Sequence, residues 1–532
     1  MKSALWYCLG FVCCIGSAAQ SLVDPVPFAN TISATELSKH LHVLASDSLE
    51  GRETGEKGQK LAAQYIAQQF ESYGIKPLQQ VSSNAPSYFQ NFVLIKKHID
   101  SIIITTPNRT KKKYLEDFFS YGAIHLSASE NFEAYFAGYG IDDKKYSDYS
   151  HFKKNKFKTS NPTHPSAFII FTGEPMLNGK SLITGDSTLS NWGNDWRLKV
   201  STAKRYGATH VFIISRQDEK TYYETLRKNK HHFGQPSLAF KEKSSSIGAF
   251  FITPSTAAEL LGISTAQLFE LRDKQVQLVL SGKKIPPIKN NIHINASCKT
   301  DSLLTENVLG YIEGTDKKEE LIIITAHYDH LGKEGNTIYY GADDDASGTA
   351  ALLEIAQAFS IAAQSGFRPR RSILIMPVTA EEKGLLGSQY YTEHPVFPLK
   401  NTVANLNIDM IGRVDDYHTN DSNYVYLIGS NRLSSELHQL SEQVNNTYLK
   451  LSLDYRYNDP NDPNRFYYRS DHYNFAKHNI PVIFYFSGIH DDYHKPTDTV
   501  DKLLFGKMTN ITKLIFYTAW ELAHRENRIK LD

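Results

Sequence analysis

Cysteine is scarce. The 532-residue sequence contains four, and three of them (Cys8, Cys13 and Cys14) fall at the extreme amino terminus. A chain that sheds that segment keeps only Cys298, which excludes an internal disulfide framework and a thiolate cage for a metal. Any cation must then be held by His, Asp and Glu. An excess of one charge is also missing: 58 Lys and Arg against 57 Asp and Glu give a formal net charge of +1. That balance gives no support to a nucleic-acid or membrane-surface role, and no nucleic-acid partner is expected. No internal repeat or low-complexity tract stands out. The apolar run in "MKSALWYCLGFVCCIGSAAQ" is too short and too weakly flanked for a transmembrane helix. One lysine, that run, and the small residues Ser17 and Ala19 instead make residues 1–19 a signal peptide cleaved after Ala19, with an uncleaved anchor as the alternative. The expectation is an exported protein, periplasmic or secreted, with no stable membrane insertion after cleavage.

The remaining length exceeds what one compact core usually holds, so two domains, or one enlarged by an insertion, are expected. Apolar residues recur at helical spacing from Ala34 to Pro77, interrupted by "SDSLEGRETGEKGQ", which reads as an exposed loop. From about 91 the texture changes. Short β-rich runs ("SIIITT", "SAFIIFTG", "THVFIIS", "GAFFITP") alternate with polar loops such as "KKNKFKTSNPTH", and "DWRLKVSTAKRYGA" reads as a helix. After 290 the strands "ELIIITA", "RRSILIMPVTA", "NTVANLNIDMIG", "NYVYLIGS" and "IPVIFYFSG" are interspersed with helices, above all "GTAALLEIAQAFSIAA". The predicted fold is therefore α/β: a mixed, mainly parallel central sheet flanked by helices, carrying a smaller inserted mixed α/β domain. The expected divisions are 20–90 and 290–532 for the main domain and 91–289 for the insert.

In such sheets functional groups collect beyond the carboxyl ends of the strands. His327 and Asp329 follow "LIIITA", Glu381 and Glu382 follow "SILIMPVTA", Asp409 ends "NLNID", and His494 comes shortly after "PVIFYFSG". The run Asp343, Asp344 and Asp345 lies between the first two, before a helix. Any one of these reads as a packed or solvated side chain, and an Asp run before a helix reads as capping. Their coincidence at one sheet edge points to a cation, because such a cluster without one is heavily repulsive. Mixed His and carboxylate ligands suit zinc, with manganese, cobalt or iron as possible replacements. Two His and three carboxylates exceed the usual three protein ligands of one catalytic zinc, but fit two zinc ions sharing a bridging carboxylate.

The set "AHYDHLG", "GADDDASGTAALLE", "AEEKGLLGS", "NIDMIGR" and "DDYHKPTDT" resembles the secreted co-catalytic di-zinc aminopeptidases. These zinc exopeptidases have relatives among glutamate carboxypeptidases, glutaminyl cyclases and catalytically dead receptors such as the transferrin receptor. "LASDSLEGRETGEKGQKLAAQYIAQQF" resembles their opening segment, and "KVSTAKRYGATHVFII" the protease-associated domain inserted in many of them. The resemblance implies a phosphorylase/hydrolase-like zinc exopeptidase fold with two Zn2+ per chain. It assigns His327 and Asp409 to one zinc, Glu382 and His494 to the other, and Asp344 to the bridge, followed by a cis Asp344–Asp345 bond. Asp329 orients the His327 imidazole, while Asp345 and Asp343 support the loop. Glu381 is the general base that takes a proton from the metal-bridging water or hydroxide and passes it to the departing amine. Tyr493 donates to the oxyanion, with packing as its other reading. Asp471 and His472 read as hydrogen-bonding neighbours of the pocket.

The implied substrates are peptides with a free amino terminus, cleaved at the first peptide bond. A carboxypeptidase would need arginines aimed at a terminal carboxylate; Arg413 and Arg469 are candidates, although neither stands in an obvious arginine cluster in the sequence. A glutaminyl cyclase and, from another class, a non-catalytic binding module with a structural metal complete the alternatives. Side-chain preference and oligomeric state are not legible.

Overall fold

A computed structural model describes residues 24–78, 85–121, 126, 128–150, 166–241, 248–283 and 288–532. The expected signal peptide and the basic loop 153–164 lie outside them.

The chain opens with helices α1 (Ala34–Leu44) and α2 (Lys57–Ser72). Ser33 caps the first by accepting the Glu36 N–H at 3.2 Å. Between them, the segment expected to be an exposed loop is instead largely folded inward. Residues Asp47–Arg52 form a short 3-10 helix, and Leu49, Gly51, Arg52, Thr54 and Gln59 are buried. The reason is Arg52. Its guanidinium donates to the carbonyls of Tyr328, Tyr340 and Gly341, each at 2.9 Å, and to that of Leu44, binding this segment to the ends of distant elements. Gly51 makes the approach possible: its φ is +70°, and a Cβ there would lie 2.3 Å from the Gly332 carbonyl oxygen.

Strand β1 (Phe89–Thr105) then leads into a lobe with its own sheet, and β6 (Lys289–Val308) leads back. The two pair antiparallel from Phe89–Val308 to Thr105–His293, so the expected divisions at 90/91 and 289/290 fall at or within the ends of a long two-stranded ribbon. Within the lobe, β2 (Ser129–Phe136), β3 (Ser166–Phe171), β4 (His210–Ile214) and β5 (Gly248–Ile252) are mutually parallel neighbours, and β6 pairs antiparallel with β2. Helix α3 (Trp196–Arg205) leads into β4, as its sequence predicts. Alternate residues of β3 enter different cores: Ala167, Ile169 and Phe171 on one face, Phe168 and Ile170 on the other.

The main lobe contains a second sheet, seven-stranded among the described residues. Its strands are β7 (Gly310–Ile312), β8 (Lys317–His327), β9 (Arg371–Val378), β10 (Thr402–Ile408), β11 (Tyr424–Ile428), β12 (Ser452–Asp454) and β13 (Val482–Phe486). They lie in the order β7–β9–β8–β10–β13–β11–β12, with β9, β8, β10 and β13 all parallel. Along β8, Ile322, Ile324 and Ala326 face one core and Leu321 and Ile323 the other, so its buried stretch is a mostly apolar run rather than an alternation. Helix α4 (Gly348–Gln364) is apolar on nearly every side because it is buried in the larger core with α5 (Ser435–Tyr448) and α6 (Phe505–His524) around it. The mixed, mainly parallel α/β sheet is thus present. Its four parallel strands all end on the same side, and the candidate residues stand there.

Candidate metal centre

His327 is the last residue of β8, Glu381 and Glu382 lie just past β9, Asp409 directly follows β10, and His494 lies beyond β13. The Asp run sits between β8 and α4 in a tight irregular turn. Asp344, Glu381, Glu382, Asp409 and His494 line one cleft together with Met410, Phe466, Phe484, Phe486, Ile489, Arg469 and Tyr493, while His327, Asp343 and Asp345 are buried behind it.

Asp344 stands in the middle. Its Oδ1 lies 3.1 Å from His327 Nε2, and its Oδ2 3.1 Å from His494 Nε2. On the first side Asp409 Oδ1 is 3.7 Å and Glu381 Oε2 3.9 Å from the His327 nitrogen. On the second, Glu382 Oε2 is 3.2 Å from His494 Nε2. Donor atoms about 2.0–2.1 Å from a tetrahedral zinc stand roughly 3.3 Å from one another, so these spacings fit donors around shared cations. Among the described residues, two groups bring one donor atom from each member within 4.8 Å of one another: His327 with Glu381 and Asp409, and His330 with Asp344 and Glu382.

His330 escaped the sequence reading. It is fully buried, its Nδ1 is 2.8 Å from Glu382 Oε1, and neither its ring nitrogens nor that oxygen has a well-aligned hydrogen bond. Unpartnered polar atoms this deep are costly. Together with the donor set, they fit a divalent cation.

Protonation reflects the same crowding. Burial alone would lower the pKa of His494, but Glu382 and Asp344 outweigh it and push the imidazole up to about 11. Burial raises Glu381 well above the usual carboxylate range; His327 opposes this, while Glu382, Asp409 and Asp471 add to it. Burial also raises the Tyr493 phenol, as do Asp344 and Glu382. Tyr493 stacks on His494 at 3.9 Å and receives a 3.4 Å contact from Arg469 Nη2.

The supporting side chains hold the backbone of this centre. The Asp344–Asp345 bond is cis. Asp345 accepts the N–H groups of His327 (3.2 Å), Gly348 (2.8 Å) and Met410 (3.1 Å), tying three elements to one carboxylate. Asp343 accepts the Gly412 N–H at 2.6 Å. Asp329 differs from expectation. The nearer partner of His327 Nδ1 is the Asp329 carbonyl oxygen at 3.0 Å, whereas the carboxylate is 3.8 Å away. That carboxylate instead accepts from Thr54 Oγ1 (2.7 Å) and the Glu381 N–H (3.2 Å), which leaves it holding the Glu381 backbone. Two further supports went unread. Ser470 donates to Asp409 Oδ2 at 2.7 Å, and Asp498 accepts the N–H groups of Asp343 and Asp344. Asp471 accepts from Ser388, while His472 is buried against Phe484, its pKa lowered by burial to about 3.

Of the two arginines named from sequence, Arg413 is engaged by Asp492 at 3.0 Å. Arg469 lines the cleft. Arg465 and, from the inserted lobe, Arg197 are its neighbours: burial lowers the Arg197 pKa, Asp195 opposes that, and Arg465 and Arg469 reinforce it.

Comparison with known proteins agrees with this geometry. Residues 307–519 match the model of Peptidase family M28. The chain is 34% identical over 129 residues to probable glutamate carboxypeptidase AMP1 of Arabidopsis thaliana, covering 24% of this chain and 17% of that protein. It is 26% identical over 226 residues to aminopeptidase YwaD of Bacillus subtilis, covering 41% and 44%. The chain therefore spans less than half the length of these relatives. In three dimensions it is similar to an aminopeptidase from Aneurinibacillus sp. strain AM-1, with a TM-score of 0.51 and 17% identity over 96% of this chain and 98% of the other. The strand-end donors and the match to the model of Peptidase family M28 coincide on one segment, residues 307–519.

Proposed function

We propose that this protein is a di-zinc aminopeptidase. The observation that carries the reading is Asp344, whose two oxygens each stand 3.1 Å from a different histidine, the arrangement a carboxylate shared by two cations requires. His327 and Asp409 would complete one zinc site and Glu382 and His494 the other. Two zinc ions in those positions supply Lewis acidity that lowers the pKa of water and polarises a peptide carbonyl.

The protein's own groups do the rest. Glu381 takes the proton of the attacking water and delivers it to the departing amine; burial and the neighbouring carboxylates raise its proton affinity, which suits that transfer. Tyr493, protonated because burial and two carboxylates hold its pKa up, donates to the developing oxyanion. The carboxylates around the cleft receive the substrate's free α-amine. The amino-terminal segment 1–19 supports export, to the periplasm or beyond, and the inserted lobe resembles a protease-associated domain in "KVSTAKRYGATHVFII".

The test is release of leucine or alanine from chromogenic amides by the mature protein, abolished by a chelator and restored by zinc. Glu381→Gln is expected to keep its zinc and lose turnover by about a hundredfold or more; unchanged turnover would remove Glu381 as the base.

One observation favours a second reading. Arg469 offers a guanidinium at the cleft that a substrate carboxylate could meet. N-acetylated peptides with a free carboxyl terminus should resist an aminopeptidase and be cut by a carboxypeptidase; C-amidated peptides with a free amine give the opposite result.

A further inference from the structure

We propose that Asp195 of the inserted lobe and Arg465 of the main lobe form a clamp that positions Tyr493, so that docking of the inserted lobe is part of the catalytic arrangement. The inference rests on the peptidase reading above and adds a positioning role for a lobe whose described residues contribute no donor to the metal centre.

The contacts form a series. Asp195 stands at the start of α3 and is 5% exposed. Its Oδ1 accepts the Arg197 N–H at 3.0 Å, capping the helix, while its Oδ2 pairs with Arg465 Nη1 across the lobes. Arg465 directly precedes the single 3-10 turn Phe466–Tyr468, and Arg469 directly follows it. Phe466 lines the metal cleft, Arg469 lies over its ring at 4.8 Å, and Arg469 Nη2 reaches the Tyr493 hydroxyl at 3.4 Å. A turn this short cannot move at Arg465 and stay fixed at Arg469. The inserted lobe thus reaches the phenol through one ion pair and one turn.

Electrostatics sharpens the dependence. Arg465 and Arg469 both act on the half-buried Arg197 as like charges, and Asp195, paired with Arg465, opposes them there. Neutralising Asp195 leaves Arg197 and Arg465 as like charges without the carboxylate between them, which favours release of Arg465 from the lobe and loosens the turn. The root of the lobe is fastened separately: Phe92 stacks on Tyr390 at 4.5 Å, and Gln90 donates to the His394 carbonyl at 2.9 Å. Loss of the clamp should therefore release the tip without unfolding the lobe.

The test uses the full mature chain loaded with zinc, and four variants. Asp195→Asn keeps a capping side chain and removes the charge; Arg465→Gln removes the other partner; Arg465→Lys restores the charge; the fourth combines Asp195→Asn with Arg465→Gln. Both neutral single variants are expected to lose kcat about tenfold, with KM within about twofold and zinc content unchanged. Arg465→Lys should recover most of the loss, and the double variant should fall no further than either single, because both break one contact. Amide hydrogen exchange over 462–470 should quicken in the neutral variants and slow again in Arg465→Lys. Parent-level kcat in the neutral variants, losses that multiply in the double, or losses that follow zinc content would each overturn the clamp. If the parent itself cleaves no peptide, the peptidase reading fails, and hydrogen exchange still decides whether the clamp exists: unchanged exchange over 462–470 overturns it.

Discussion

Asp344 presents one oxygen to each of two histidines, and replacing it with an amide keeps the shape while removing one acceptor and the charge. Asp344→Asn is predicted to drop bound zinc from two to at most one and turnover by at least about a hundredfold, read by metal analysis and amide hydrolysis of the same sample. His330→Ala is predicted to weaken the zinc on the Glu382 side by about ten- to a hundredfold, measured by competition with a chromogenic chelator, while the His327 side keeps its metal. The sequence showed the residues that close strands, because a charged group at the end of an apolar run stands out. It hid His330, which shares the "HYDH" motif with His327 and has no strand end of its own. Ser470 and Asp498 were hidden for another reason: hydrogen bonding to a ligand or to the loop backbone leaves no periodicity and no distinctive residue type.

At the scale of elements, the centre depends on segments remote in sequence gripping the Asp loop. Arg52 does this most directly, donating to Tyr328, Tyr340 and Gly341 at 2.9 Å each. Arg52→Leu leaves these carbonyls buried without donors and is predicted to cost about 2–4 kcal/mol, read as a lower denaturant midpoint. A change within measurement error would show that water replaces the guanidinium. The four central parallel strands and α4 were legible because runs such as "LIIITA" and "GTAALLEIAQAF" are apolar enough to demand burial. The segment 46–59 reads as an exposed loop because Gly, Glu and Arg suggest solvent, and only the fold supplies the carbonyls that make a buried arginine tolerable.

For the whole molecule, length and the strand–helix pattern predicted an α/β protein with an insertion, and two large sheets are found among the described residues, the β1–β6 ribbon carrying the chain into and out of the inserted one. The exact divisions were not legible, since β-rich sequence runs continuously from one sheet into the next. If the proposed zinc ions bind among these strand ends, they should stabilise the main lobe as a unit: zinc at a thousandfold excess over its Kd would add about 4 kcal/mol per site. Chelation is therefore predicted to lower the Tm of the main-lobe transition, and zinc to restore it. Absence of any shift would mean that the cluster folds without needing a cation.

The most direct measurement is the zinc content of the purified mature chain, with Asp344→Asn measured alongside. Two ions per parent chain, falling to one or none in the variant, is the result expected from a shared carboxylate. A parent that is metal-free and cannot be loaded, or a variant that still holds two, would contradict it.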